Sequence, residues 1–254
     1  MLVDLHTHST FSDGRYTPSQ LVEMGAEAGI GILGITDHDS VNGIEEALNA
    51  AAAVPGAPVI AKGVELGTQV GESSVHILGY NIDIHNKNLL DKIGTLGYHI
   101  TVEQCDPKNR AVGRPHVAKA LVKKGYFSSV EEAFDVLLKR GKPGYEPQPK
   151  LSPEESVELL HGAGGLAVLA HPAEIENLPL VNTLLSTISF DGIEVYHPSA
   201  DEKMQQCFLQ MAEKYKLLVS GGSDFHGVEG RFPEQLGIFK VYGEKVNIIQ
   251  TMLK

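Results

Sequence analysis

Histidines and carboxylates occur in this chain in short clusters whose spacing is that of metal ligands. His6 and His8 stand two residues apart in Asp4-Leu5-His6-Thr7-His8-Ser9, with Asp13 shortly after. On an extended segment, residues i and i+2 project to the same side, so both imidazoles can grip one cation. Three further clusters follow: Thr36-Asp37-His38-Asp39, then Gly63-Val64-Glu65 with His76 downstream, then Ala170-His171-Pro172 with Ser223-Asp224-Phe225-His226. Each comes directly after an apolar, strand-like run. One His-x-His pair means little, but the same placement repeated along a chain points to a shared site.

The apolar runs alternate with helical patterns, the signature of a parallel α/β architecture. The spacing predicts strands over residues 3–6, 31–36, 59–65, 74–80, 166–170, 192–195 and 217–220. Helices are expected from Pro18, capped by Thr17, to a stop at Gly29, and over 43–53, 153–161 and 201–215. Between residues 84 and 150 the alternation lapses into helical segments, 117–124 and 129–140, the second capped by Ser129, and then a turn-rich Gly141-Lys142-Pro143-Gly144-Tyr145. The expected organisation is a barrel made of residues 1–83 and 151–254, with 84–150 as a helical insertion. Insertions of this kind lie by preference on the loop face, where they can cover a site. Candidate ligands at the C-terminal ends of parallel strands favour a (β/α) barrel over an open sheet.

Composition sets the limits of function. The chain has 254 residues, 42% of them hydrophobic, enough for a sizeable core. A net charge of -11 argues against a protein that tracks long duplex nucleic acid by covering many phosphates, and leaves a small anionic substrate open. There is no signal-like start and no apolar run of membrane-spanning length, so a cytoplasmic location without membrane association is expected. Cys105 and Cys207 form no C-x-x-C pattern and read as reduced thiols.

In order, the His-x-His, Asp-His-Asp, Gly-Val-Glu, isolated His76, Ala-His-Pro and Ser-Asp-Phe-His motifs resemble those of the PHP (polymerase and histidinol phosphatase) superfamily, from one end of the chain to the other. Gly113-Arg114-Pro115-His116 within the insertion is similar to the branch containing metal-dependent phosphoesterases and ribonuclease AM-like enzymes. The resemblance implies a distorted seven-stranded (β/α) barrel, three metal ions and hydrolysis of phosphate monoesters. Its substrates would be nucleoside 3′,5′-bisphosphates, nucleoside monophosphates or short oligonucleotides. Relatives generally carry a longer, arginine-bearing helical stretch where this chain passes directly from Leu89-Leu90-Asp91-Lys92-Ile93 to Gly94-Thr95-Leu96-Gly97.

By the same resemblance His6, His8, Glu65 and Asp224 would hold a first metal, Glu65, His76 and His171 a second, and Asp13, His38 and His226 a third. Mixed imidazole and carboxylate ligation suits Mn²⁺, Fe²⁺ or Zn²⁺ and not Mg²⁺. Glu65 as a shared ligand would bring two metals to about 3.5–4 Å, where a hydroxide can bridge them and act as the nucleophile. Three divalent ions would outweigh the charges of Asp13, Glu65 and Asp224, leaving a locally positive pocket for phosphate.

Arg114 and His116 are candidates for gripping the substrate phosphate, the arginine through its bidentate fork, and Arg15 for reaching a second phosphate. His197, in Glu194-Val195-Tyr196-His197-Pro198, would protonate the leaving oxygen or contact phosphate. Asp4, Asp37 and Asp39 would orient imidazoles, and Pro172 would hold His171 extended. His85, His99 and His161 read as surface residues. Two other functions share the motif set: a histidinol-phosphate phosphatase, and a non-catalytic nucleotide-binding accessory domain. The intact ligand set weighs against the second.

Overall fold

The apolar runs form strands β1 (Leu2–Asp4), β2 (Ile30–Ile35), β3 (Val59–Val70), β4 (Ser73–Tyr80), β5 (Leu166–Leu169), β6 (Gly192–Tyr196) and β7 (Leu218–Gly221), joined by a short β8 (Val241–Tyr242). These elements belong to a computed structural model that describes residues 1–83, 122, 126–133, 135–136 and 151–253. The chain divides into two units, Met1–Leu90 with Leu151–Lys254, and Asp91–Lys150. Of the second unit the structure describes a short helix, Val130–Ala133, with Ser129 Oγ accepting from the Glu132 amide at 3.1 Å. Arg114, His116, His85, His99 and Cys105 lie outside the described residues.

In the first unit the strands form one sheet in the order β7-β6-β5-β4-β3-β2-β1-β8. Its two sides meet in a nearly closed barrel. The start of β1 pairs antiparallel with β8, while just beyond it the Leu5 amide donates to the Gly221 carbonyl at 3.3 Å and the His8 amide to the Phe225 carbonyl at 2.9 Å. At this seam the backbones approach so closely that a Cβ on Gly222 would stand 2.4 Å from His6 Cβ, so the position requires glycine.

Strands β1, β2 and β3 pair in parallel, as do β5, β6 and β7, but β4 runs antiparallel to both its neighbours. This corrects the expectation of a parallel strand at 74–80. The run at 59–65 continues to Val70 and turns back at once through Gly71-Glu72, with Gly71 at φ +58. A two-residue hairpin loop needs such a conformation, and glycine adopts it without a steric penalty.

Flanking helices form where sequence signals place them. Thr17 and Gln20 make a reciprocal capping box ahead of helix Pro18–Glu27, and Ser152 and Glu155 make another ahead of Pro153–Gly162. Asp201 caps Glu202–Tyr215 by accepting from the Met204 amide. Helix Ile44–Ala53 follows Gly43. Helix Leu178–Thr187, capped by Asn177, and strand β8 were not expected from the sequence. Leu21, Val22, Leu160 and Phe208 of these helices are buried, as are the strand residues Ile32, Leu33, Val64, Leu78, Val168 and Ile193. The strands are therefore covered on both faces, as parallel α/β sheets require. Among the described residues no helix is long and apolar enough to cross a membrane.

Candidate metal centre

The ends of β1, β2, β5 and β7, together with the interiors of β3 and β4, deliver the ligand candidates to one place. Beyond β1, Thr7 is pinned outward, its hydroxyl donating to the Gly34 carbonyl and its amide to Thr36 Oγ1, so His6 and His8 share the opposite side. Both rings are fully buried. After β2 the chain bridges to β3 at His38↔Glu65. In the β3–β4 hairpin His76 pairs with Gly67, two residues beyond Glu65, so Glu65 and His76 lie on the same face of the sheet. A mid-strand histidine thus joins the site through antiparallel register and not through a strand end. His171 has φ +22 and ψ +62 and opens the 3-10 turn Pro172–Ile175, so it is not extended as expected. Its amide donates to Glu194 Oε2 at 2.8 Å, which holds it in that conformation.

Glu65 is the hub. Its Oε2 lies 3.1 Å from His6 Nε2, 3.1 Å from His8 Nε2 and 3.2 Å from His38 Nδ1, while Oε1 lies 2.8 Å from His76 Nδ1 and 2.9 Å from His171 Nε2. Asp224 Oδ1 stands 3.3 Å from His6 Nε2 and 3.0 Å from His8 Nε2. Asp13, at the exposed edge, faces His226 Nε2 at 3.1 Å, His8 Nδ1 at 3.7 Å and His38 Nε2 at 3.9 Å. Among the described residues, four sets have ligand atoms within 4.8 Å of one another: His6, His8, Glu65 and Asp224; His8, Asp13, His38 and His226; His38, Glu65 and His76; and Glu174, His197 and Asp224. Besides Glu65, His8, His38 and Asp224 each stand in two of these, a sharing the motifs did not suggest. Arg15 is exposed beside Asp13, and its amide donates to the His226 carbonyl at 2.8 Å.

The protonation pattern tests whether this donor set fits a cation. His226 Nδ1 lies 2.7 Å from the Asp224 carbonyl, which can only accept, so the proton sits on Nδ1. Burial and the neighbouring His8 push this ring's pKa down, so the neutral form is favoured. Its Nε2 lone pair, which among the described residues makes no hydrogen bond, therefore faces Asp13 Oδ1 at 3.1 Å. Two acceptors turned towards each other are the arrangement a cation would relieve. His8 Nδ1 is likewise buried with no hydrogen-bond partner among the described residues.

In the metal-free protein, protons occupy part of that role. Burial pulls the His8 ring down, but hydrogen bonds and charge from Asp224 and Glu65 outweigh it and lift the pKa to about 10. His6 is likewise opposed by burial and held well above its ordinary value by Glu194, Glu65 and Asp224. Burial dominates at His38 and takes it down to about 3. The surrounding imidazoles overcome the burial of Glu65 and keep its carboxyl well below the usual range. The residues fit a group of divalent ions held by neutral imidazoles and ionised carboxylates.

Orienting contacts differ from expectation. Glu194, buried in β6, accepts from His6 Nδ1 at 3.2 Å and so turns Nε2 towards the cluster. A glutamate within an otherwise apolar strand was the signal for it. The hydrogen bonds of Asp4 come from the Ser223 amide and hydroxyl and the His6 amide. Those of Asp37 come from Ser9 and the Ser12 hydroxyl. These two carboxylates fix loops and, among the described residues, hold no ring by a hydrogen bond. Asp39 accepts from the Gly67 amide.

His197 is held differently again. The Ser199 amide donates to its Nδ1 at 3.1 Å, so the proton must sit on Nε2, which is buried 3.8 Å from Asp224 Oδ2 and has no hydrogen-bond partner among the described residues. A ring protonated on Nε2, with Nδ1 already accepting, offers a donor and no lone pair for a metal.

A model of the PHP domain matches residues 4–159, more than half of the chain. The chain belongs to the PHP domain family. A 3′,5′-nucleoside bisphosphate phosphatase of Chromobacterium violaceum is 33% identical over 253 residues, covering 88% of this chain and 87% of that protein. The 5′-3′ exoribonuclease Rnm of Escherichia coli is 30% identical over 250 residues, covering 89% and 85%. A solved structure from Bifidobacterium adolescentis, assigned to the metal-dependent phosphoesterases, superposes with a TM-score of 0.79 at 26% identity, over 98% of this chain and 94% of that one. This PHP-family chain is a metal-dependent phosphoesterase.

Proposed function

We propose that the chain hydrolyses phosphate monoesters of small nucleotides. Nucleoside 3′,5′-bisphosphates and nucleoside monophosphates are the leading substrates, and the ends of short single-stranded oligonucleotides follow. The observation that carries this reading is the convergence of His6, His8, His38, His76 and His171 on the buried carboxylate of Glu65. Three divalent ions, Mn²⁺, Fe²⁺ or Zn²⁺, would be held by His6, His8, Glu65 and Asp224, by Glu65, His76 and His171, and by Asp13, His38 and His226. When bound, such ions supply Lewis acidity and bring the pKa of water to about 7, so the chain needs no serine or cysteine nucleophile.

The remaining steps fall to the chain's own residues. His197 donates its Nε2–H to a phosphoryl oxygen; the tautomer set by Ser199 favours that contact over transfer of a full proton to the leaving group. Arg114 and His116 bind a second, non-reacting phosphate, an assignment that rests on the family resemblance, and Arg15 lies exposed near the site edge. The bisphosphate phosphatase at 33% identity supports the substrate class. The net charge of -11 disfavours long duplexes and suits a cytoplasmic enzyme of small metabolites.

The test is kcat/KM of the metal-loaded enzyme for adenosine 3′,5′-bisphosphate and for histidinol phosphate, with wild type and Arg114→Ala. A bisphosphate preference that Arg114→Ala lowers by the equivalent of about 1.5–3 kcal/mol, the range for a hydrogen bond to a charged group, is expected. A preference for histidinol phosphate would contradict the reading.

A further inference from the structure

Arg231 belongs to none of the motifs, yet it touches the ligand cluster. Its Nη2 donates to Asp224 Oδ2 at 2.7 Å, and its side chain is 45% exposed. The two oxygens of Asp224 face different ways: Oδ1 turns inward to His6 and His8, and Oδ2 outward to Arg231. The same outer oxygen lies 3.8 Å from the buried, unpartnered Nε2 of His197. At this rim of the cluster a guanidinium and an N–H donor converge.

Holding Asp224 in place does not require the arginine. The neighbouring Ser223 is tied to Asp4 through its amide and its hydroxyl, at 2.9 and 2.6 Å. The Phe225 carbonyl accepts from the His8 amide at 2.9 Å, and the Asp224 carbonyl from His226 at 2.7 Å. An ion pair made by a half-exposed arginine adds little to stability. A guanidinium carries five N–H donors in a fixed fork, and among the described residues Asp224 is the only side-chain partner Arg231 has.

We propose that Arg231 grips the substrate phosphate at the Asp224 side of the cluster, beside the Nε2–H of His197. This rests on the cluster being the metal site proposed above, and adds to that site a phosphate-binding residue on the barrel itself. A phosphate monoester brings up to two negative charges and several acceptor oxygens, and a planar fork can take two of those oxygens at once, which an ammonium cannot. The inward carboxylate oxygen stays with the cluster, while the outward side is shared between Asp224 and the incoming anion.

Metal-loaded wild type, Arg231→Ala and Arg231→Lys are titrated with inorganic phosphate by calorimetry, and bound metal is measured by elemental analysis in the same samples. Arg231→Ala is expected to weaken phosphate binding about ten- to a hundredfold, the loss of one or two charge-assisted hydrogen bonds. Arg231→Lys should recover part of this, and metal content should match wild type in both. Loss of metal together with phosphate binding would make Arg231 a positioning residue for Asp224 and overturn the proposal. Unchanged phosphate affinity would reduce it to a rim ion pair and overturn it equally. Wild type that takes up no metal would overturn the reading of the cluster and, with it, this proposal; the measured metal content tells that failure apart from a failure of Arg231 alone.

Discussion

Metal loading should expel protons, and its affinity should climb with pH. His8, whose Nε2 lies 3.1 Å from Glu65 Oε2 and 3.0 Å from Asp224 Oδ1, keeps its proton in the metal-free protein up to a pH of about 10. A metal needs the neutral ring. At pH 7.5, removing that proton from a group of pKa about 10 costs about 3 kcal/mol, at 1.36 kcal/mol per pH unit. Each ring deprotonated on binding raises the apparent affinity about tenfold per pH unit below its pKa. With His6 also held well above its ordinary value, the slope should lie between about tenfold and a hundredfold per unit from pH 6.5 to 8.5.

The metal-free fold responds in the opposite sense. The pKa of His8 is raised from 6.5 to about 10, so its contribution to stability is complete below pH 6.5 and is lost as the pH rises through 10. Competition with a chromophoric chelator across this range, corrected for the chelator's own protonation, gives the first slope. Proton release in weakly buffered indicator solution gives the count, and urea melts of metal-free protein give the second. A flat affinity with no proton released would refute this electrostatic account.

Two substitutions probe the parts. Glu65→Gln takes the charge from the hub of five imidazoles, and breaking a buried charge pair costs about 3–5 kcal/mol, or at least a hundredfold in affinity; elemental analysis should show the loss of more than one equivalent of metal while circular dichroism stays native-like. His197→Ala should lower kcat/KM by similar factors for adenosine bisphosphate and for p-nitrophenyl phosphate, because a phosphate contact serves both. A loss confined to the substrate with the poorer leaving group would instead make His197 the proton donor.

Much of this site is legible in the residues, because most ligand candidates follow an apolar run and a strand end fixes where their side chains go, whereas Glu65 and His76 lie within β3 and β4. His6 and His8 needed only the two-residue period of a strand. His76 is the instructive case: read as one more parallel strand, its segment gave no reason for a mid-strand histidine to reach the site. Pairing through Gly71-Glu72 supplies the reason by placing His76 opposite Gly67. Register between strands is a tertiary property, and only the glycine turn announced it. His171 was named as a ligand, but its conformation escaped for a similar cause, since the effect of Pro172 on its neighbour is local and the bond from its amide to Glu194 is not. Glu194 was visible as a charge inside an apolar strand. Arg231 left no trace, because it stands seven positions along the loop from the carboxylate it meets.

In the proposed function, phosphate-ester hydrolysis depends on divalent metal held around Glu65. The most direct measurement is phosphate release from adenosine 3′,5′-bisphosphate by protein stripped with chelator, verified metal-free by elemental analysis, before and after Mn²⁺ is added back. No release before and restored turnover after is the predicted result. Full turnover by the metal-free sample would contradict it.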